Sequence, residues 1–158
     1  MWEDSLKKIL FIILIFALLF FSCYKAEADQ FTNDFYDSVN ILRESNNLVP
    51  LKPSRNIENV AITYSTIMAE DGYIDHNALT EFEFSTLCKN NKVPISTLLE
   101  VLASYPNYYA PYQVLLLFLM SDSHKEALLD PRGRFIGAGY IKKGAKTFFT
   151  AYIMIGEE

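Results

Sequence analysis

Residues 121–140 read SDSHKEALLDPRGRFIGAGY, and three local signals follow one another along them. Ser123, with Glu126 three residues later, is the capping-box pattern that opens a helix. Asp130-Pro131-Arg132-Gly133 stops that helix and turns the chain, because proline cannot continue a helix and glycine accepts turn geometry. Phe135-Ile136-Gly137-Ala138-Gly139-Tyr140 then reads as a strand whose two glycines let another backbone approach closely. His124 rides on the short helix that feeds this strand.

On the carboxyl side, Lys142-Lys143-Gly144-Ala145 makes a turn and Lys146–Ile155 a second strand, so the end of the chain is a β-hairpin. Phe148, Thr150, Tyr152 and Met154 alternate with Phe149, Ala151, Ile153 and Ile155. Both faces are apolar, as in a sheet covered by helices on two sides. On the amino side, Pro111 suits a first helical turn. Val114 to Met120 is apolar all round, which predicts a helix buried on most sides. Pro94-Ile95-Ser96 predicts another helix, with Ile95, Leu98, Leu99 and Leu102 on one side and Glu100 off that stripe.

Further upstream, Thr80 and Glu83 form a second capping box, opening a helix that runs through Leu87 and Cys88 to Lys89. Ile57, Val60, Ala61, Tyr64, Ile67 and Met68 recur at helical spacing, and Asp71-Gly72 ends that helix. Gly72-Tyr73-Ile74-Asp75-His76 follows. Leu48 to Pro53 is extended, since each proline disfavours helix in the residue before it. Phe31, Phe35, Val39 and Leu42 make a first amphipathic helix ending near Glu44.

The chain has 158 residues, room for one domain, and is 51% hydrophobic and 15% aromatic. Its net charge of −5 excludes the basic face that a nucleic-acid partner requires. Lys7-Lys8 precede an unbroken apolar run from Ile9 to Phe21, which suits a signal peptide over 1–22 and is short for a membrane span. Two cleavage readings follow. Cys23 ends a relaxed lipobox, with Phe20 where leucine is usual, and becomes the lipidated first residue of a tether over 23–30. Alternatively, Ala26-Glu27-Ala28 is an ordinary cleavage site with Asp29 as the new terminus. The lipoprotein is favoured, because a cysteine placed directly after the apolar run otherwise has no explanation. An uncleaved anchor would tether the same domain, 31–158, to the same membrane. With Cys23 lipidated or removed, Cys88 alone cannot form an internal disulfide, so core packing must hold the domain.

Several of these segments resemble the CAP superfamily, which takes in the cysteine-rich secretory and plant pathogenesis-related proteins and many bacterial secreted relatives. The bacterial pattern S-P-G-H-R-x-N-I-L, then I-G-V-G, appears as Ser121-Asp122-Ser123-His124-Lys125-Glu126-Ala127-Leu128-Leu129, then Ile136-Gly137-Ala138-Gly139. The family's helix followed by G-Y/F-x-x-H is matched at Gly72–His76. Its G-E-N-I/L-A is partly kept as Leu99-Glu100-Val101-Leu102-Ala103, without the glycine and asparagine. Arg43 precedes an L-x-P-L segment, as family members commonly show, and Phe118 stands where the family has tryptophan. The resemblance implies an α+β fold, a three-layer α-β-α sandwich with a small, mostly antiparallel central sheet.

It also implies a cleft formed by His76, Glu100 and His124. Ser121 or Asp122 stands where many eukaryotic members have a second glutamate, so the tetrad is incomplete. Two imidazoles and a carboxylate suit a divalent metal such as zinc, with His76 and His124 as ligands, or general acid–base work. Read without the family, each of these residues is an ordinary solvated side chain. No Ser or Cys can be tied to either histidine, and Cys88 sits where a small thiol packs as a hydrophobe. The expectation is a membrane-tethered binding module of the bacterial cell envelope, at the outer membrane or cell surface. Its ligand would be lipid, sterol or peptide-like, or its partner a host or envelope protein. A metal-assisted hydrolase using the cleft, and a surface protein whose cleft is idle, are the alternatives.

Overall fold

The computed structural model describes residues 2–156; the side chains of residues 2–5, 8, 19–29 and 96 lie outside the described set. α1 is one continuous helix, Trp2–Ser45. Residues 24–30, expected as a tether, are helical within it. YKAEADQ contains no glycine or proline and is rich in residues that lose little on entering a helix. The lipidation and cleavage expected at Cys23 and Ala28 fall on side chains outside the described set.

β1 (Lys52–Pro53) is followed by α2 (Arg55–Asp71), α3 (Glu81–Asn90) and a single 3-10 turn at Ile95–Thr97. β2 (Leu98–Pro106), α4 (Pro111–Leu119), α5 (Asp122–Leu128), β3 (Gly133–Lys143) and β4 (Lys146–Ile155) complete the chain. The sheet runs β1-β3-β4-β2, with only the short β1–β3 pairing parallel. Helices cover both faces, so the fold is a three-layer α-β-α sandwich around a mostly antiparallel sheet.

The alternation along β4 serves both layers. Phe149, Ala151 and Ile153 pack toward α1 and α4 with Phe35, Val39, Val114 and Phe118. Tyr152 and Met154 pack toward α2 and α3 with Ile57, Val60 and Cys88, and Phe148 meets Tyr64 and Met68. On β3 the α2 side is left open by glycine. A Cβ on Gly137 would lie 2.3 Å from the Glu58 nitrogen, and one on Gly139 2.4 Å from the Ile62 nitrogen. The helix backbone therefore rests directly on the strand, as the pair of glycines predicts. Ser65, fully buried, donates to the Gly139 carbonyl at 2.9 Å and lies 2.9 Å from the Thr150 hydroxyl, fixing the contact. Where β1 has ended, the Tyr36 hydroxyl accepts the Ala138 N–H at 2.8 Å.

Three expectations need correction. The segment from Leu98 is a strand, not a helix with Ile95, Leu98, Leu99 and Leu102 on one side. A strand buried on both faces is apolar at nearly every position, so helical spacing occurs in it by coincidence. α5 is capped at Ser121, not Ser123, and makes no side-chain cap hydrogen bond; the Ser123 hydroxyl instead lies 3.1 Å from that of Ser121. α4 is buried on one side only: Val114, Leu115 and Phe118 are in the core, while Leu116 and Met120 are 55% and 85% exposed. The capping box of α3, by contrast, forms as expected, with the Thr80 hydroxyl accepting from Glu83 N–H and the Glu83 carboxylate accepting from Thr80 N–H.

Candidate functional site

β2 is one of the two edge strands, and the site lies where the loop after α2 and the start of α5 reach it. Gly72 ends α2 in the left-handed region, at φ 84°, which glycine adopts without penalty, and sends the chain back along the helix. Tyr64, on α2, pins this loop on both sides of His76. Its hydroxyl donates to the Asp75 carbonyl at 3.0 Å and accepts the Ala78 N–H at 3.2 Å. Burial, and then the charge of Glu100, pushes this phenol up to about 12.

Glu100 stands opposite Tyr152 in the β2–β4 register. The Tyr152 hydroxyl donates to Glu100 Oε2 at 2.6 Å, and His76 Nδ1 lies 2.6 Å from Oε1. A carboxylate only accepts, so His76 carries its proton on Nδ1 and presents Nε2 as a free base when neutral. Tyr152 is almost fully buried, and burial together with the Glu100 charge holds its phenol far above the ordinary range. It is therefore a fixed donor. Glu100 is mostly shielded and His76 mostly open, at 20% and 59% side-chain exposure.

His124 comes from the other side of the edge strand. Its ring centre is 6.1 Å from that of His76, and Phe118 meets it edge-on at 5.3 Å. Burial first, and His76 second, hold the His124 imidazole below its ordinary value, so it is neutral at neutral pH. Arg43 anchors the helix that carries it. The guanidinium is fully buried and donates to the carbonyls of Leu128 at 2.7 Å, Asp130 at 3.1 Å and Val49 at 2.9 Å.

The chain thus brings His76, Glu100 and His124 together. Of the two stand-ins for a second glutamate, Ser121 caps α5, the helix that carries His124, and Asp122, the first residue of that helix, lines a depression with Lys125, Glu126 and Leu129. Sequence reasoning missed Tyr152 and Tyr64, which it read as packing positions. The available signal was a phenol in an otherwise aliphatic buried row, since a buried hydroxyl needs a partner.

As a zinc site the arrangement is incomplete. Catalytic zinc takes about three protein ligands, and two imidazoles on one tetrahedral ion have centres about 5 Å apart. Here two imidazoles stand somewhat wider, and Glu100 already accepts two hydrogen bonds. Among the described residues, no group of three or more His, Cys, Asp or Glu side chains is placed to hold a metal. Nor does Cys88 offer a nucleophile, because it is 1% exposed and burial pushes its thiol up to about 11.

A cavity of about 270 Å³ opens beside Glu100 on the α2 and α3 side. Tyr64, Phe84, Tyr152, His76 and Glu100 are among the residues lining it.

A two-layer cover of helices, a glycine-bearing β3 and paired histidines across an edge-strand glutamate are the marks of one family. Residues 36–155 match the cysteine-rich secretory protein (CAP) family, and the chain belongs to it. Among solved structures, an extracellular SCP-domain protein of Bacillus anthracis superposes with a TM-score of 0.67 at 24% identity, over 78% of this chain and 40% of that one. An outer surface protein of Borrelia burgdorferi gives 0.67 at 24% identity, over 82% of this chain and 96% of that one. A cysteine-rich secretory protein of Staphylococcus aureus gives 0.62 at 15% identity, over 81% and 38%. No curated protein matches the sequence. Among the described residues, no helix is long and apolar enough to cross a membrane.

Proposed function

We propose that the chain is an extracytoplasmic, lipid-anchored binding module of a bacterial envelope, holding its ligand in the His76–Glu100–His124 cleft. One observation carries this reading. Glu100 is fixed from two sides by Tyr152 and His76 at 2.6 Å each, directly beside a cavity. Polar groups held in place around a concave, partly apolar space suit recognition. Among the described residues, no hydroxyl or thiol is hydrogen-bonded to either histidine as an acyl-transfer enzyme would need. That the solved relatives are described as extracellular or outer surface proteins supports placing this one outside the cytoplasm. Cys23, directly after the apolar run, supplies the anchor.

A second reading, a hydrolase with His76 as general base, is favoured only by the Glu100–His76 pair, since a carboxylate on Nδ1 leaves Nε2 basic. The test of the main reading has two parts. Cys23→Ala should release the protein from membranes. Mass spectrometry of ligand extracted from the native chain should lose its signal in a His76→Ala, His124→Ala double variant. A double variant that keeps its full ligand load removes the cleft from the account.

A further inference from the structure

The end of the domain where α1 enters it is organised as a surface of its own. β3 runs antiparallel to α1: Arg43 reaches the Gly133 carbonyl at 3.5 Å, Tyr36 meets the Ala138 N–H at 2.8 Å, and the Phe31 and Tyr140 rings lie 4.8 Å apart. From Phe31, α1 leads back to Cys23, about 12 Å away at the helical rise. From Tyr140, β3 leads on to Lys143, about 10 Å away at the strand rise. The tip of the β3–β4 hairpin and Cys23 therefore stand at nearly one level. Asn107, in the loop after β2, clamps that tip. Its N–H donates to the Ala145 carbonyl at 3.2 Å, its side-chain amide donates to the Gly144 carbonyl at 2.9 Å, and its side-chain oxygen accepts the Thr147 hydroxyl at 2.8 Å. Around the clamp Lys142, Lys143 and Lys146 are exposed, as are Tyr108 at 80% and Tyr112 at 58%. A depression of about 750 Å³ lies against the two loops, with Pro106, Tyr108, Ala145 and Lys146 in its wall. Residues 142–146 hold three lysines and no acid, in a chain of net charge −5. Glu70 and Asp71, exposed at the end of α2, come close, since Lys143 Nζ donates to the Glu70 carbonyl at 3.0 Å. Their two carboxylates offset part of the lysine charge and leave the tip net positive.

We infer that this end docks on the anionic head groups of the bilayer that carries the anchor, with the lysines against lipid phosphates and the exposed tyrosines in the interfacial layer. Lysines are drawn to an anionic leaflet within a Debye length of its surface, and tyrosine rings, apolar with a polar tip, settle at the head-group level. A spacer this short keeps the tip at high effective concentration against the lipid, so individually weak contacts suffice. The inference rests on the lipid-anchor reading and adds an orientation to it. Glu100 lies back along β2 from Pro106 by about 20 Å, so the docked domain holds its cleft clear of the lipid and open to ligands arriving through water.

The test uses the full-length chain as isolated from membranes, placed in nanodiscs that carry a trace of lipid with a paramagnetic head group. The readout is the paramagnetic line broadening of backbone amides by NMR. In phosphatidylglycerol discs the amides of Tyr108, Gly144 and Ala145 should broaden several-fold more than those of Glu100 and His124. That preference should fall several-fold in phosphatidylcholine discs, and again in high salt, which screens exposed charges. A Lys142→Gln, Lys143→Gln, Lys146→Gln variant should lose it in phosphatidylglycerol as well. The comparison of lipids needs no variant, so a poorly folded substitution leaves the test intact. Equal broadening over the whole domain overturns the docking while leaving the anchor, and strongest broadening at Leu116 and Met120 overturns it in favour of the outer side of α4. A preference that is the same in both lipids overturns the recognition of anionic head groups. A chain that co-elutes with neither disc overturns the anchor reading and the docking together.

Discussion

Replacing Arg43 by methionine should unfold the domain at a markedly lower temperature and loosen the helix that carries His124. Arg43 is fully buried, with three hydrogen bonds to backbone carbonyls between 2.7 and 3.1 Å and a longer one to Gly133 at 3.5 Å. Those carbonyls belong to the extended segment before β1, the end of α5 and the turn into β3, so one side chain at the end of α1 ties three segments together. Each close bond from a charged donor contributes about 1.5–3 kcal/mol, but methionine keeps much of the volume and the carbonyls can relax toward water. A net loss of about 3–5 kcal/mol follows, in the range for removing one partner of a buried charged cluster. For a domain of this size that lowers Tm by roughly 10–15 °C. Urea and thermal unfolding followed by circular dichroism read the loss directly. Arg43→Lys, with fewer donors and a different geometry, should fall between wild type and methionine. A methionine variant within 1 kcal/mol of wild type, with His124 resonances unmoved, would refute the clamp.

Gly139→Ala should cost about 1–3 kcal/mol or more, because the new Cβ meets the Ile62 backbone at 2.4 Å and α2 must shift. Gly144→Asn is its control: the turn has open space and φ +61°, which asparagine tolerates, so the loss should stay below about 1 kcal/mol in the same unfolding assay. Tyr105→Phe should leave stability unchanged or raise it, since the Tyr105 hydroxyl is buried and has no hydrogen-bond partner among the described residues. Tyr36→Phe should lower stability, because it strips the partner from the Ala138 N–H. The depressed His124 value makes the unfolded chain the better proton binder, so stability falls as pH drops below about 6.5 toward the folded value and is unaffected above it. His124→Gln should flatten that part of the stability–pH curve.

Much of this architecture was legible in short-range signals. The 57–68 stripe, the Thr80 capping box and the glycines of 135–140 each depend on neighbours in sequence, and each forms as the residues predict. The β2 segment was not legible, because burial on both faces erases the alternation that distinguishes a strand, leaving LLEVLA open to a helical reading. In the same way α4 was read as buried on most sides: an apolar helix whose outer side meets no other element among the described residues has the same composition as one that is enclosed. In the site, two histidines and a glutamate could be named because the family pattern marks them. Their assembly depends on the β2–β4 register, which puts Glu100 opposite Tyr152, and on Tyr64 pinning a loop eleven residues away. Neither distance is encoded locally, so both tyrosines were read as packing.

The most direct measurement is the NMR titration of His124 in wild type and in His76→Gln. If the two imidazoles share one cleft, removing His76 takes away a charge that disfavours protonation of His124, and the His124 midpoint must rise. A midpoint that does not move places the two rings outside each other's field and contradicts the cleft on which the account depends.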